Sequence, residues 1–169
     1  MTTRPIHPPR PGPGQESVWD YPRPPVVVPS DRHVRVVHGD VTIADSGDAL
    51  RVLETAGAPV WYLDPRDVRM DLLRPSAAGA TFCEWKGRAT YFDLVLPDGT
   101  AVPRVAWRYD QPQPGFEAIR GRVAFYAGRV DEATVDGERV WPQPGGFYGG
   151  WVTGDVVGPF KGEPGTEGW

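Results

Sequence analysis

The sequence predicts a mainly β domain, built either as a small antiparallel barrel or as two packed sheets, with one or two short helices. Three observations point there. The apolar residues of the middle of the chain recur with a period of two, the spacing that puts alternate side chains on one face of a strand. Turn-forming pairs interrupt these runs at short intervals. Hydrophobic residues make up 40% and charged residues 24% of the 169 positions, enough for a real core in one ordinary domain.

Proline and glycine divide the chain into three parts. Residues 1–30 hold nine prolines and read as a Pro-rich N-terminal extension, and residues 141–169 hold nine glycines and four prolines. Residues 31–140 form the single β-rich domain. The C-terminal part also carries Trp141, Phe147, Tyr148, Trp151, Phe160 and Trp169, too much apolar area for a plain linker, so it is expected to dock as an ordered strap with Trp141, Tyr148 and Trp151 as anchors.

Within the body, His33–His38 and Val41–Ala44 flank Gly39-Asp40 and read as a hairpin. Leu50–Leu53 and Val60–Leu63 are short strands. Asp64 followed by Pro65, with Asp67 in the first turn and Val68 and Leu72 four apart, predicts a helix running from Asp64 to near Leu73. A second hairpin spans Ala89–Leu96 and Ala101–Tyr109 around Pro97-Asp98-Gly99, with Phe92, Leu94 and Leu96 on one face and Val105, Trp107 and Tyr109 together on one face of the return strand. A further helical turn is expected at Phe116–Arg120. Val123–Tyr126 is another short strand, and Arg129–Val135 with Glu138–Trp141 forms a third hairpin around Asp136-Gly137.

Charge and cysteine usage exclude several functions. The formal charge is −4, with 18 basic residues dispersed among 22 acidic ones, which argues against a nucleic-acid partner held by a basic face. Cys83 is the single cysteine, so no intrachain disulfide and no thiolate-built zinc site can form. A cytoplasmic setting is expected, since the first residues lack the apolar stretch of a signal peptide, and no membrane partner is expected in the absence of an 18-residue apolar run.

The familiar signatures of chemistry are missing. There is no phosphate-cradling Gly-x-x-x-x-Gly-Lys-Ser/Thr loop, no dinucleotide-binding Gly-x-Gly-x-x-Gly, and no Gly-x-Ser-x-Gly elbow. His7, His33 and His38 are the only histidines, and the five-residue spacing of the last two puts them on opposite faces of a strand, so no metal site is expected. Two features remain. Thr81-Phe82-Cys83-Glu84-Trp85-Lys86-Gly87 places a thiol, a carboxylate and an amine within four residues. Such a group suits nucleophilic chemistry at Cys83; the bland alternative is a small buried cysteine beside two solvated charges. Trp61, Tyr62, Trp85, Tyr91, Trp107, Tyr109, Phe125 and Tyr126 are more aromatic area than a core of this size needs, and some of them suit the wall of a pocket. Combining the two, Tyr62, Cys83, Glu84, Lys86, Trp107 and Tyr126 are the expected ligand-binding residues.

The stretch Tyr62-Leu-Asp-Pro-Arg-Asp-Val-Arg-Met-Asp-Leu-Leu73, with Thr81–Gly87, Ala106-Trp-Arg-Tyr109 and Val123-Ala-Phe-Tyr126, resembles the bacterial domain of unknown function 427 family over roughly Val34 to Val140. Val18-Trp-Asp-Tyr-Pro22 and Pro144–Trp151 look like the corresponding stretches of its actinobacterial members. The resemblance implies a compact β domain with a short helix. It also brings a nucleotidyltransferase-type label, which implies a nucleotide substrate and a divalent metal; Asp45-Ser46-Gly47-Asp48 is the nearest approach in the body to that pattern, in reversed order and without an Asp-x-Asp strand. The leading expectation is a cytoplasmic small-molecule-binding module with an aromatic pocket and no assigned cofactor. The alternatives are an enzyme, working through Cys83 or by metal-assisted nucleotide transfer, and a partner protein docking through the Pro-rich N-terminus.

Overall fold

The protein is seen in a computed structural model that describes residues 8–77 and 79–169. His7 and the other first residues of the Pro-rich extension lie outside the described residues. The fold is mainly β, with several antiparallel sheets; among the described residues none closes into a barrel and no helix reaches seven residues.

A four-stranded sheet holds the first and third expected hairpins. Strands β3 (Val34–His38) and β4 (Val41–Ser46) meet at Gly39 and Asp40, whose φ values of 54° and 61° make the tight turn. Strands β12 (Glu132–Val135) and β13 (Glu138–Arg139) meet in the same way at Asp136 and Gly137, with φ of 51° and 81°. The order is β13-β12-β3-β4. The second sheet runs β11 (Val123–Phe125), β10 (Ala101–Tyr109), β9 (Gly87–Val95) and β7 (Leu73–Pro75), with β8 (Thr81–Cys83) also paired to β9. In the third, β2 (Val26–Ser30) pairs with β5 (Ala49–Leu53), and β5 with β6 (Val60–Tyr62). Pro29 is tolerated in β2 because that strand forms the sheet edge. Residues Val26–Ser30, grouped by composition with the extension, therefore contribute a strand, and Val18, Trp19 and Tyr21 are buried against Leu53, Ala56 and Val156.

The expected helix from Asp64 to Leu73 is not formed. Asp64 does cap, its carboxylate accepting from the Arg66 N–H, but the turn it starts is a 3-10 turn of three residues, Pro65–Asp67. At Val68 the backbone extends, bridges Ala44 of β4, and the Arg69 N–H donates to the Ile43 carbonyl at 2.7 Å. A second 3-10 turn, Met70–Leu72, leads into β7. Pairing with β4 has taken the hydrogen bonds that a continuing helix would have used. Val68 and Leu72 reach the core all the same. The expected turn near Phe116–Arg120 is a 3-10 turn at Glu117–Ile119.

One expected face is also corrected. Arg104, at φ 49°, shifts the β9–β10 register between Val102 and Ala106. Val105 and Ala106 consequently pack in one core with Phe92, Leu94 and Leu96, while Trp107 and Tyr109 pack in another with Ala89 and Tyr91.

In the C-terminal part, β14 (Trp141–Pro142) pairs with β15 (Trp151–Val152), and β16 (Val156–Val157) runs parallel to β1 (Glu16–Ser17). Trp151 is buried, stacks near Trp61, and its Nε1 donates to the Phe125 carbonyl at 2.9 Å. Trp141 is 61% exposed and is no anchor; the Arg139 guanidinium lies 5.5 Å from its ring.

Candidate functional site

The β9–β10 hairpin sets the site. Cross-strand pairing puts Tyr91 opposite Trp107 and Ala89 opposite Tyr109, so three polar-tipped aromatics share one face. Tyr126, just past β11, joins them, with its ring centroid 4.5 Å from that of Trp107. The β8–β9 connection brings Cys83, Glu84, Trp85 and Lys86 over one side. From the other side comes the loop between β14 and β15, with Tyr148 and Gly149, and behind it Lys161. Between these walls is a cleft of about 290 Å³.

Five of the six expected residues line it: Cys83, Glu84, Lys86, Trp107 and Tyr126. Tyr62 does not. It is fully buried behind Trp107, edge-on to it at 6.4 Å, and its hydroxyl accepts from Trp107 Nε1 at 3.3 Å. It supports the wall instead of forming it. Cys83 is half-buried, and Glu84 is exposed at the mouth.

The aromatic walls are braced from behind. The Arg104 guanidinium lies 4.1 Å from the Tyr91 ring and that of Arg129 4.1 Å from the Tyr126 ring, and Arg129 Nη1 donates to the Arg104 carbonyl at 2.6 Å. Tyr91 also exchanges a 2.7 Å hydrogen bond with Thr81 Oγ1. Burial pushes the Tyr126 phenol up to about 12, with the neighbouring Tyr91 acting in the same direction. Burial raises Tyr62 and Tyr109 well above the usual phenol range as well, Lys86 partly offsetting this at Tyr109. These hydroxyls are neutral donors and acceptors at physiological pH.

Gly149 holds the strap against the wall. A Cβ there would lie 2.0 Å from Trp107 Cη2, so only glycine lets the backbone approach the indole this closely. Gln143 ties the same region together: its Oε1 accepts from the Ala58 N–H at 3.0 Å, and its Nε2 donates to the Lys161 carbonyl at 2.9 Å.

Glu54 and Lys161 were not among the expected residues. Lys161 Nζ stands 3.9 Å from Glu54 Oε2 and 4.9 Å from the centre of the Tyr148 ring. No local pattern marks either residue, because the fold closes a long loop to bring them together. A larger groove of about 620 Å³ on another face is lined by Arg32, Arg51, Asp48 and Asp155 among others. Its arginines already pair there, Arg51 with Glu16 at 2.5 Å and Arg32 with Asp155 at 2.8 Å, which leaves little unmet charge for a ligand.

A family model described as a domain of unknown function, DUF427, matches residues 26–136, from β2 to the β12–β13 turn. The chain belongs to the DUF427 family. No curated protein matches it. In this DUF427 protein the cleft is shared between the matched region, which supplies Glu54, Cys83, Lys86, Trp107 and Tyr126, and residues beyond it, which supply Gln143, Tyr148 and Lys161.

The family model's short name, NTP_transf_9, points to nucleotide transfer, for which a divalent ion would be needed. The residues do not fit one: among the described residues no three His, Cys, Asp or Glu side chains gather where they could hold an ion. Asp45 is taken by His33 at 2.6 Å and Arg35 at 3.4 Å, and Asp48 faces Arg122 at 3.9 Å.

Proposed function

We propose that the cleft beside Trp107 is a binding site for a small organic molecule with a planar, apolar body, and that the protein is a small-molecule-binding module. The observation that carries this reading is the cluster of Tyr91, Trp107, Tyr109 and half-buried Tyr126 along one wall of the cleft, braced by two arginines and faced by polar groups at the mouth. Half-buried Tyr126 and Trp85 leave ring surface for stacking, and the phenol oxygens along the wall can orient a ligand. The volume of about 290 Å³ suits a molecule of one or two rings, since ligand pockets run upward from roughly 300 Å³. A cytoplasmic setting agrees with the single free thiol, half-buried at Cys83. The net charge of −4 favours a small ligand over nucleic acid.

Titration with adenosine, benzoate, benzaldehyde and trimethyllysine, followed by tryptophan fluorescence, tests the reading. A saturable change with at least one compound, lost in Trp85→Ala or Tyr126→Ala proteins that still fold, is expected. A flat response to all four would overturn it. Cys83 supplies a second reporter, because a bound ligand is expected to slow its alkylation by iodoacetamide.

A further inference from the structure

The chain has 18 basic residues but only two lysines, Lys86 and Lys161; the other sixteen are arginine. Both lysines line the aromatic cleft. A guanidinium stays protonated and cannot act as a nucleophile, whereas an amine can lose its proton and attack an electrophilic carbon. Both side-chain amines of the chain thus lie in a cavity with an aromatic wall.

The two amines differ in their surroundings. The Lys161 side chain is 14% exposed, and its backbone is held on both sides, the N–H by the Ala56 carbonyl at 2.9 Å and the carbonyl by Gln143. Its Nζ lies across the Tyr148 ring, with Glu54 Oε2 at 3.9 Å, beyond hydrogen-bond reach but close enough to serve once a ligand atom sits between them. Lys86 is half-buried, with Nζ 5.9 Å from the Tyr109 ring. Burial lowers the Lys161 amine below the ordinary lysine value, Arg23 and Lys86 adding to this and Glu54 and Cys83 opposing it, so geometry and charge favour the same nitrogen.

We propose that Lys161 forms an imine with a small aldehyde or ketone bound in the aromatic cleft, with Glu54 carrying the protons. This rests on the reading of the cleft as a ligand site. The neutral amine donates its lone pair to the carbonyl carbon, and the π pair moves onto the carbonyl oxygen. Glu54 takes one proton from nitrogen and passes it to that oxygen, giving a carbinolamine. The remaining N–H proton follows by the same carboxylate, the oxygen departs as water, and the nitrogen lone pair closes the C=N bond. One amine and one carbonyl become one imine and one water, with no oxidant or reductant required. The aromatic wall holds the body of the carbonyl compound and keeps the carbinolamine away from bulk water.

The test uses the full chain with benzaldehyde as probe and sodium borohydride to reduce any imine to a stable secondary amine, with the site read by peptide mass mapping. The expected result is a benzyl adduct at Lys161 well in excess of Lys86 and the N-terminal amine, lost in Lys161→Arg and reduced in Glu54→Gln. Circular dichroism checks that each variant folds, and the wild-type map alone decides the matter if one does not. Equal labelling of the three amines, or none, would overturn the proposal. Benzyl alcohol separates the two readings, since it fits the cleft but cannot form an imine. Fluorescence binding of benzyl alcohol without any Lys161 adduct sinks the imine and leaves the ligand site standing; absence of both binding and adduct removes both.

Discussion

The two faces of the β9–β10 hairpin were built for different ends. One face carries Phe92, Leu94, Leu96, Val105 and Ala106 into a core shared with Val34, Val36, Ile43 and Val123, almost all without a polar side-chain atom and wholly sealed. The opposite face carries Tyr91, Trp107 and Tyr109, each with a hydroxyl or N–H; it is nearly as buried but lines the cleft. An aliphatic face gains most by excluding everything, since nothing on it needs a hydrogen bond. A face of tyrosine and tryptophan keeps apolar area and polar handles side by side. The sealed core and the wall of the cleft are separated by the thickness of one sheet.

Damage to the sealed face is expected to have the largest effect. Leu94 is fully buried, and Leu94→Ala should cost about 2–5 kcal/mol, read by denaturant unfolding; a cost below about 1 kcal/mol would mean the core relaxes around the gap. On the face that lines the cleft, Gly149→Ala drives a methyl into Trp107. A loss of about 1–3 kcal/mol is expected, together with weakened ligand quenching, because the strap must lift. Unchanged fluorescence and stability would show that strap and indole are not in fixed contact.

Tyr62→Phe sharpens the difference between lining the cleft and supporting it. It strands the Trp107 N–H, which donates to the Tyr62 hydroxyl at 3.3 Å, and should cost about 1 kcal/mol while leaving ligand affinity intact. Altered affinity would place Tyr62 in the site after all. The smallest effect is seen in an alkaline absorbance titration. The Tyr126 phenol, pushed up to about 12, should stay neutral through the pH range where free tyrosine ionises, near 10. Because its pKa is raised on folding, its stabilising contribution is complete below about pH 10 and fades as pH rises toward 12. Ionisation of every tyrosine near pH 10 would show that the phenols of this wall are not buried.

The hairpins were legible because their signals are local. Gly39-Asp40 and Asp136-Gly137 supply the positive φ that each turn needs, and alternation marks the flanking strands. Asp64 and Pro65 were equally local, and the cap they promise is present. What they could not reveal is that Ile43 and Ala44 on another strand would take over the backbone at Val68 and Arg69. The bulge at Arg104 was hidden for a related reason: an arginine at φ 49° carries no turn signature, yet it moves Val105 to the opposite face from Trp107. At the site, the aromatic residues and the Cys83–Lys86 cluster could be found from residue type. Tyr62 was misplaced by one layer, since burial depth depends on what covers a residue. Glu54 and Lys161 depend on contacts across more than a hundred residues, and short-range spacing holds no trace of them.

The Gln143 clasp gives the cleft a direction in time. One amide side chain links the Ala58 turn to the Lys161 backbone, and β1 finds its parallel partner only at Val156 and Val157. As the chain is synthesised, the aliphatic core can form from residues up to about 151, while the wall bearing Lys161 cannot be set until the segment around that residue has emerged and folded back. Such long-range closures form late, because the entropy of closing the loop is spent before any contact rewards it. A nascent chain would therefore hold its aliphatic core before its cleft, and the wall bearing Lys161 would be assembled after the core it leans on.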